Sequence, residues 1–420
     1  MMFSSAPVPP GSRRTGPLAG LRVIDMTTSY AGPTAAMYLA DLGADVLKVE
    51  RPVTGDDART WGPPFVDGES AWFASANRNK RSLALDIASP GGRAVLDRLL
   101  ATSDVFLENV LPSKLGRLGI APDEVLKAHP HLIYCAMSGF GLDGPARDQP
   151  GYDLAAQARS GLMSVTGARG GSPQRVSTAL SDIVTGMCAA LAVSAAVVRQ
   201  RAEGIGEVID VSLLDSDLAL MAPRVAAFLA GDPEPAPSGG TDSVLAVYQT
   251  FATADRDIVV AIGNDSMWQR FCVAIGLDHL AADAELRTND GRRRDRPRIT
   301  GLIGDALAAR PAGEWIAVLA AAGVPTSLVQ GLGEVVADPQ VAARGSVLPV
   351  PGAPGLHGVR SPFRLRSIPE PRNERFPSLG ADTPDVLAEL GLSADEIRSL
   401  LDEGAVDAAF VDSIGDVHAR

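Results

Sequence analysis

One carboxylate stands at the head of a long uncharged run: in STALSDIVTGMCAAL, Ser177 to Leu191, the only ionisable side chain with ordinary acid chemistry is Asp182. Two roles fit an aspartate there. Asp before an apolar run has the position of a helix N-cap, whose oxygen accepts a backbone N–H that the helix leaves unpaired. The same position lies at the positive end of the helix dipole, which favours the ionised form and leaves a carboxylate able to attack an acyl carbon as a nucleophile. The two roles are compatible.

Other constellations point elsewhere or nowhere. GFGLDG, Gly139 to Gly144, satisfies G-x-G-x-x-G directly after the strand-like HLIYCAMS. A dinucleotide fingerprint must open a helix, and the following PARDQPG carries two prolines that prevent one, so NAD is not expected. The histidines, His129, His131, His279, His357 and His418, have no ligand spacing with a cysteine or carboxylate, and no metal site is expected. There is no nucleophile elbow, no P-loop lysine and no evident Cys–His pair, which leaves covalent chemistry to carboxylates. NRNKR, Asn77 to Arg81, is a basic cluster that fits either a phosphate site or a solvated turn. Arg51, just after a strand at the edge where open parallel sheets bind ligands, is the better phosphate candidate.

The elements that must position these residues follow a βαβ rhythm. LRVIDMT is a predicted strand, PTAAMYLADLG a helix opened by Pro33 and closed by Gly43, and ADVLKVE a second strand. SLALDI, a helix beginning near Pro90, DVFLEN, HLIYCAMS and GEVIDVS continue the pattern. The expected fold is α/β: an open parallel Rossmann-like sheet with helices on both faces in a large domain, plus a smaller α+β domain. We expect a loose N-terminal arm at 1–17, the first part of the large domain at 18–230 and a linker at 231–243, GDPEPAPSGGTDS. The small domain, opened by the strand pair in VYQTFATADRDIVVA, should span 244–330. A return segment at 331–420 should complete the large domain with the strand-like SPFRLRSIP and a last helix, DTPDVLAELG.

Composition narrows the partners. With 420 residues, 46% of them hydrophobic, the chain can bury large cores, and a net charge of −12 argues against nucleic acid or an anionic membrane as the main partner. Cys135, Cys188 and Cys272 are odd in number, far apart and flanked by apolar residues, which fits core positions in a reducing cytoplasm. The uncharged run from Ile183 to Val198 has 16 residues, short of the roughly 20 that span a bilayer, and is expected to be a buried helix. Nothing at the N-terminus has the form of a signal peptide.

Taken together, LAGLRVIDMT, LADLGADVLKVERP, NRNKRSLALDI, DVFLEN, SGFGLDGP, GYDLAAQARSGLMSVTG, ALSDIVTGM and LAELGL resemble the family III CoA-transferases, the CaiB/BaiF group. That group also contains 2-methylacyl-CoA racemases. The resemblance implies that Asp182 is the nucleophile. Its carboxylate would attack a donor thioester to give a mixed anhydride, then carry CoA as an aspartyl-CoA thioester until a free carboxylic acid reverses the steps. It implies no permanently bound cofactor, with coenzyme A thioester as substrate and a small carboxylic acid as the second partner.

By position, CoA contacts would come from Tyr30 and Ala31, Arg51, the backbone of Ala84, Leu85, Asp86, Ile87 and Ala88, then Asn109, Val110, Arg117 and Tyr152. Arg51 and Arg117 would meet phosphates. The family's interlocked homodimer is expected as well. Three positions depart from the family pattern: Tyr30 stands where some transferases have glutamine, the glycine loop is short at Ser238 to Gly240, and Ala381–Asp382 replaces a frequent Glu-His. Where the racemases carry His-Asp, this chain has Tyr152 and Asp153. A tyrosine with a pKa of about 10 is a poor base for an α-proton, which favours a transferase over a racemase or epimerase. A CoA-ester-binding protein without chemistry is the third reading.

Overall fold

The computed structural model describes residues 15–366 and 373–410. The arm up to residue 14 and the return segment beyond 410 lie outside the described residues. Six short strands, most of them rich in Val, Ile and Leu, form the main sheet: β1 (Arg22–Asp25), β2 (Asp45–Glu50), β3 (Arg81–Ala84), β4 (Val105–Glu108), β5 (Ile133–Ser138) and β6 (Glu207–Ser212). All pairings are parallel and the order is β3-β2-β1-β4-β5-β6. Successive side chains on a strand point to opposite faces, and a sheet covered on both sides therefore reads as continuous apolar runs. The register bears this out. Val23, Val46, Val105 and Ile133 lie in one core, while Ile24, Leu47, Phe106 and Tyr134 lie in the other.

Helices cover both faces. The first core is closed by α1 (Ala31–Asp41) and a later 24-residue helix, the second by α3 (Pro90–Ala101); α2 (Ala71–Asn77) precedes β3. Beyond β5 come α4 (Asp153–Arg159), α5 (Leu180–Glu203) and α6 (Leu213–Leu229). The return segment supplies α7 (Thr383–Glu389) and α8 (Ala394–Asp402), whose Val386, Leu387, Ile397 and Leu400 join Leu83 and Leu96 in the second core. It also closes the sheet's edge: Ser82 N donates to Asp382 Oδ2 at 2.8 Å and Ala84 N to Thr383 Oγ1 at 3.1 Å. An exposed edge strand would otherwise present these amides as a template for another chain.

Of the described residues, 15–160, 177–225, 343–366 and 373–410 form one compact unit; 161–176 with 226–342 form the other. The second unit has an antiparallel sheet, β7 (Tyr248–Ala252), β8 (Asp257–Ala261) and β9 (Thr326–Leu328), over a core that includes Trp268, Phe271 and Trp315.

Three expectations change. SPFRLRSIP forms no strand over its described part, 361–366, and a hairpin of Val347–Pro349 with His357–Val359 precedes it instead. The run from Ile183 lies in a helix of 24 residues that buries one face only: Leu191 and Val198 are 73% and 71% exposed. Cys188 on that helix is half-buried, whereas Cys135 and Cys272 are buried.

The basic cluster is neither a solvated turn nor a phosphate site. Lys80 is fully buried and donates to Asp25 Oδ2 at 2.9 Å, Pro33 O at 2.8 Å and Asn77 Oδ1 at 2.8 Å. Arg78 pairs with Asp41, and Arg81 with Glu389 at 2.7 Å. Burial pulls Lys80 down to about 8 despite Asp25. Beside it, buried Lys48 bridges Asp56 Oδ2 at 2.9 Å and Thr27 O at 2.8 Å. These cations tie the loop between β1 and α1 to the sheet from below.

Candidate active site

α5 starts after Ala179, which makes no side-chain capping bond, and Asp182 is its third residue. Asp182 therefore sits in the first turn and is not the N-cap. A different carboxylate serves the helix end. Ser181 N donates to Asp153 Oδ1 at 2.9 Å, and Asp153 Oδ2 is held by Gln157 Nε2 at 2.7 Å. Ser181 Oγ donates to Asp217 Oδ2 at 2.9 Å, which Ser160 Oγ also reaches at 3.3 Å, and Thr185 Oγ1 donates back to Ser181 O at 2.7 Å. Ser181 is thus held by α4, α6 and its own next turn, and the neighbouring Asp182 inherits a fixed backbone. Among the described residues no group hydrogen-bonds the Asp182 carboxylate.

That isolation has an electrostatic consequence. Burial, with the Asp153 and Asp217 carboxylates nearby, pushes Asp182 up to about 7. The helix dipole favours the anion by only about 0.3–1 kcal/mol, less than a poorly solvated carboxylate beside two like charges loses. The helix end favours the ionised form as expected, but burial and the two neighbouring carboxylates outweigh it.

α5 approaches α1 closely enough to put Asp182 beside that helix's start. One turn beyond Asp182, a Cβ on Gly186 would stand 2.8 Å from Ala31 O and 2.9 Å from Thr34 Cβ, closer than real side chains come. Tyr30 immediately precedes α1. Its hydroxyl lies 2.9 Å from Ser75 Oγ, its ring meets Trp72 edge-on at 5.5 Å, and burial raises its pKa with a further contribution from the charge of Asp182.

A cavity of about 190 Å³ opens at the carboxyl ends of β1, β4 and β5, with Asp182 on its wall. Between β1 and β4 the strand order reverses, the position at which open α/β sheets take ligands. The loop after β1 is stapled there: Thr28 N donates to Asn109 Oδ1 at 3.0 Å and Asn109 Nδ2 to Thr28 O at 2.9 Å. Ser29 N donates to Asp56 Oδ1 at 2.9 Å, and Val110 N to Glu108 Oε2 at 2.7 Å. Burial raises buried Glu108 to about 7.

The structure gathers Ala31, Asn109, Val110, Tyr152 and Asp182 on this one cavity, with Tyr30 beside it. It does not bring the others onto that wall. Arg51 is exposed after β2, paired with Asp57 at 2.5 Å and donating to Gly55 O. Arg117 is exposed in the loop that follows Pro112–Leu115. Ala84 and Leu85 are buried, and the amides of Ala84, Leu85, Asp86 and Ala88 are spent on Thr383, Glu50, Ala405 and Asp86 itself. A backbone N–H contact from 84–88 could therefore come only from Ile87; the other four residues have carbonyl oxygens or side chains to offer.

Sequence reasoning missed Asp217 and the two residues Arg147 and Gln149 that line the cavity. Asp217 carries no local signal, because one acid on an amphipathic helix normally faces water. Arg147 and Gln149 had one: they lie in the loop directly after a strand's carboxyl end. Among the described residues no group of His, Cys, Asp and Glu is arranged to hold a metal ion.

Comparison with known proteins agrees with this geometry. Residues 18–383 match CoA-transferase family III. The chain is 37% identical over 400 residues to the succinyl-CoA:glutarate CoA-transferase of Mus musculus, covering 93% of this chain and 90% of that one. It is 36% identical over 385 residues to the succinate–glutarate CoA-transferase of Agrobacterium fabrum, covering 90% and 96%. Among solved structures, a CaiB/BaiF family protein from Brucella suis superposes with a TM-score of 0.78 at 35% identity, covering 89% of this chain and 99% of that one. An acid on a cavity wall at the switch point of the sheet, within a match of this length, identifies the chain as a member of CoA-transferase family III.

Proposed function

We propose that this enzyme moves CoA from an acyl-CoA donor to a free carboxylic acid through covalent intermediates on Asp182. The observation that supports this reading is the Asp182 carboxylate itself, which lies on the cavity wall and has no hydrogen-bond partner among the described residues, while Asp153 serves the helix end. A carboxylate oxygen attacks the thioester carbonyl carbon, and the C–S bond breaks to release CoA thiolate and leave a mixed anhydride. The thiolate then attacks Asp182 Cγ, expelling the donor's acid and forming an aspartyl-CoA thioester. The acceptor carboxylate attacks Cγ in turn, expelling the thiolate, which takes the acceptor's acyl group and restores Asp182. No net proton or redox equivalent is consumed.

Tyr30, Ala31, Asn109, Val110 and Tyr152 hold the thioester end of the ligand in this reading, while Arg51, Arg117 and the 84–88 segment serve its nucleotide end. The named activities of relatives, on succinate, glutarate and oxalate, support short acids as substrates. The active unit is a homodimer in the cytoplasm. Exposed apolar side chains on α5 and α6, including Leu191, Val198 and Leu220, support burial against a second copy.

The test is to trap the intermediate. The protein is incubated with acyl-CoA, treated with borohydride or hydroxylamine, and the modified peptide mapped by mass spectrometry. The modification is expected on Asp182. Transfer activity without it, or with the modification on another residue, refutes the mechanism.

A further inference from the structure

Among the described residues, two charged side chains line the cavity that holds the nucleophile: Asp182 and Arg147. Arg147 is carried by the loop from Gly139 to Gly151, whose ends are pinned together. A Cβ on Gly139 would stand 2.7 Å from Gly151 Cα, and one on Gly151 would stand 2.4 Å from Gly139 Cα, so the two backbones touch. Within the loop, Gly141 N donates to Ser138 Oγ at 2.8 Å, and Asp148 Oδ1 accepts from Ser113 N at 2.8 Å. The loop is therefore a fixed platform on the cavity wall.

Two residues on that platform keep donor capacity for a ligand. The ion partner of Arg147 is its chain neighbour Asp148 at 3.4 Å, with both side chains about half exposed. Such a pair holds a guanidinium weakly. Gln149 is more constrained: its Oε1 accepts from Arg159 Nη1 at 2.8 Å, and Arg159 lies 4.6 Å from the Phe140 ring centroid. With its oxygen engaged, what Gln149 offers a ligand is its amide N–H groups. The cavity is thus polarised, with an acid on one part of its wall and a guanidinium with an amide donor on another.

A short monocarboxylic acid has no group for that guanidinium. A dicarboxylic acid has one: while one carboxylate exchanges CoA at Asp182, the other must leave water, and a planar cation with paired donors compensates it. We propose that Arg147, assisted by Gln149, binds the distal carboxylate of a dicarboxylic acyl group and so makes this enzyme selective for dicarboxylic acids. The inference rests on the reaction proposed above. A phosphate of CoA presents similar anionic chemistry to the same arginine, and the experiment separates the two.

The full-length enzyme is assayed with one monocarboxylic acyl-CoA donor against unbranched acids of two to six carbons, each length as the mono- and the dicarboxylic acid. Wild type is expected to favour the dicarboxylic member. Arg147→Gln is expected to raise KM for dicarboxylic acceptors by about 10- to 100-fold, with KM for the CoA ester and for monocarboxylic acceptors moving less than about twofold, and Arg147→Lys to fall between. A rise in the CoA-ester KM that is the same for both acid classes assigns Arg147 to phosphate and overturns the proposal. So does an unchanged mono-to-dicarboxylate ratio, or a wild type without that preference. Adduct formation at Asp182 by Arg147→Gln from a monocarboxylic acyl-CoA shows that the variant is folded, and failure of wild type to form the adduct from either a mono- or a dicarboxylic acyl-CoA would refute the parent mechanism separately.

Discussion

Removing the charge of Asp182 should make the protein more stable at alkaline pH while abolishing its activity. Asp182 rises from 3.8 to about 7 in the folded chain. A carboxyl raised on folding contributes stability that is fully present below its unfolded pKa and lost as pH climbs through the folded one. The window here runs from about pH 4 to about pH 7. At about 1.4 kcal/mol per pH unit, the loss is at most roughly 4–4.5 kcal/mol. Asparagine fills the same volume without the charge and forgoes the dipole's favourable term of about 0.5 kcal/mol.

Asp182→Asn should therefore exceed wild type by about 2–3 kcal/mol near pH 8 and match it near pH 4. Over 420 residues that difference corresponds to a Tm rise of about 2–4 °C. Scanning calorimetry at both pH values reads the difference, and CoA transfer should fall at least about a thousandfold in the same variant, since an amide cannot form the anhydride. Wild-type kcat/KM should rise with pH through about 7, as the nucleophile ionises. A variant less stable than wild type near pH 8, or a stability difference that ignores pH, would refute the electrostatic reasoning whatever the activity does.

Gly186→Ala places a methyl 2.8 Å from Ala31 O. It should cost about 1–3 kcal/mol in denaturant unfolding and lower kcat more than it raises KM, because α5 must back away from α1 and carry Asp182 with it. Arg51→Ala should weaken CoA-ester binding about tenfold by calorimetric titration. Its stability should stay within about 0.5 kcal/mol of wild type, since the pair with Asp57 is exposed.

The sheet was legible because burial on two faces writes itself into every strand. Val23 with Ile24, and Ile133 with Tyr134, are neighbours in the chain and lie in opposite cores, so the apolar runs had no other arrangement in an α/β chain. The last helix, expected from the order of the segments to return to the large domain, lays Val386, Leu387 and Leu390 in the second core. SPFRLRSIP misled because alternation records which side chains face inward, while a strand also needs a partner. Phe363 instead packs against Tyr38 at 6.3 Å. NRNKR misled for a related reason. Its charges look solvated until the fold sets Asp41, Asp25 and Glu389 opposite them, and those three acids are 36 residues or more away in the chain or at its far end.

Asp182 itself was legible as an acid at a helix start, but its environment was not. Which carboxylate caps α5 depends on Asp153 arriving from α4 at Ser181 N, a contact made across 28 positions. With that amide taken, the second acid in the turn makes no capping bond among the described residues. Its lone pairs remain for a ligand, and its basicity rises with its isolation. Basicity and nucleophilicity run together, so a carboxylate titrating near 7 is a better nucleophile toward a thioester than one at 3.8, yet still substantially ionised at neutral pH. The same basicity makes Asp182 a poorer leaving group from the mixed anhydride than an ordinary acid of pKa about 4, so thiolate attack at the donor's carbonyl, which would expel Asp182 and return the donor, is disfavoured relative to attack at Asp182 Cγ, which expels the donor's acid. Forward transfer also needs geometry that brings the thiolate to Asp182 Cγ. The rigid set of Ser181, Asp153 and Asp217 beneath it, and the close contact at Gly186 beside it, hold that carbon in place.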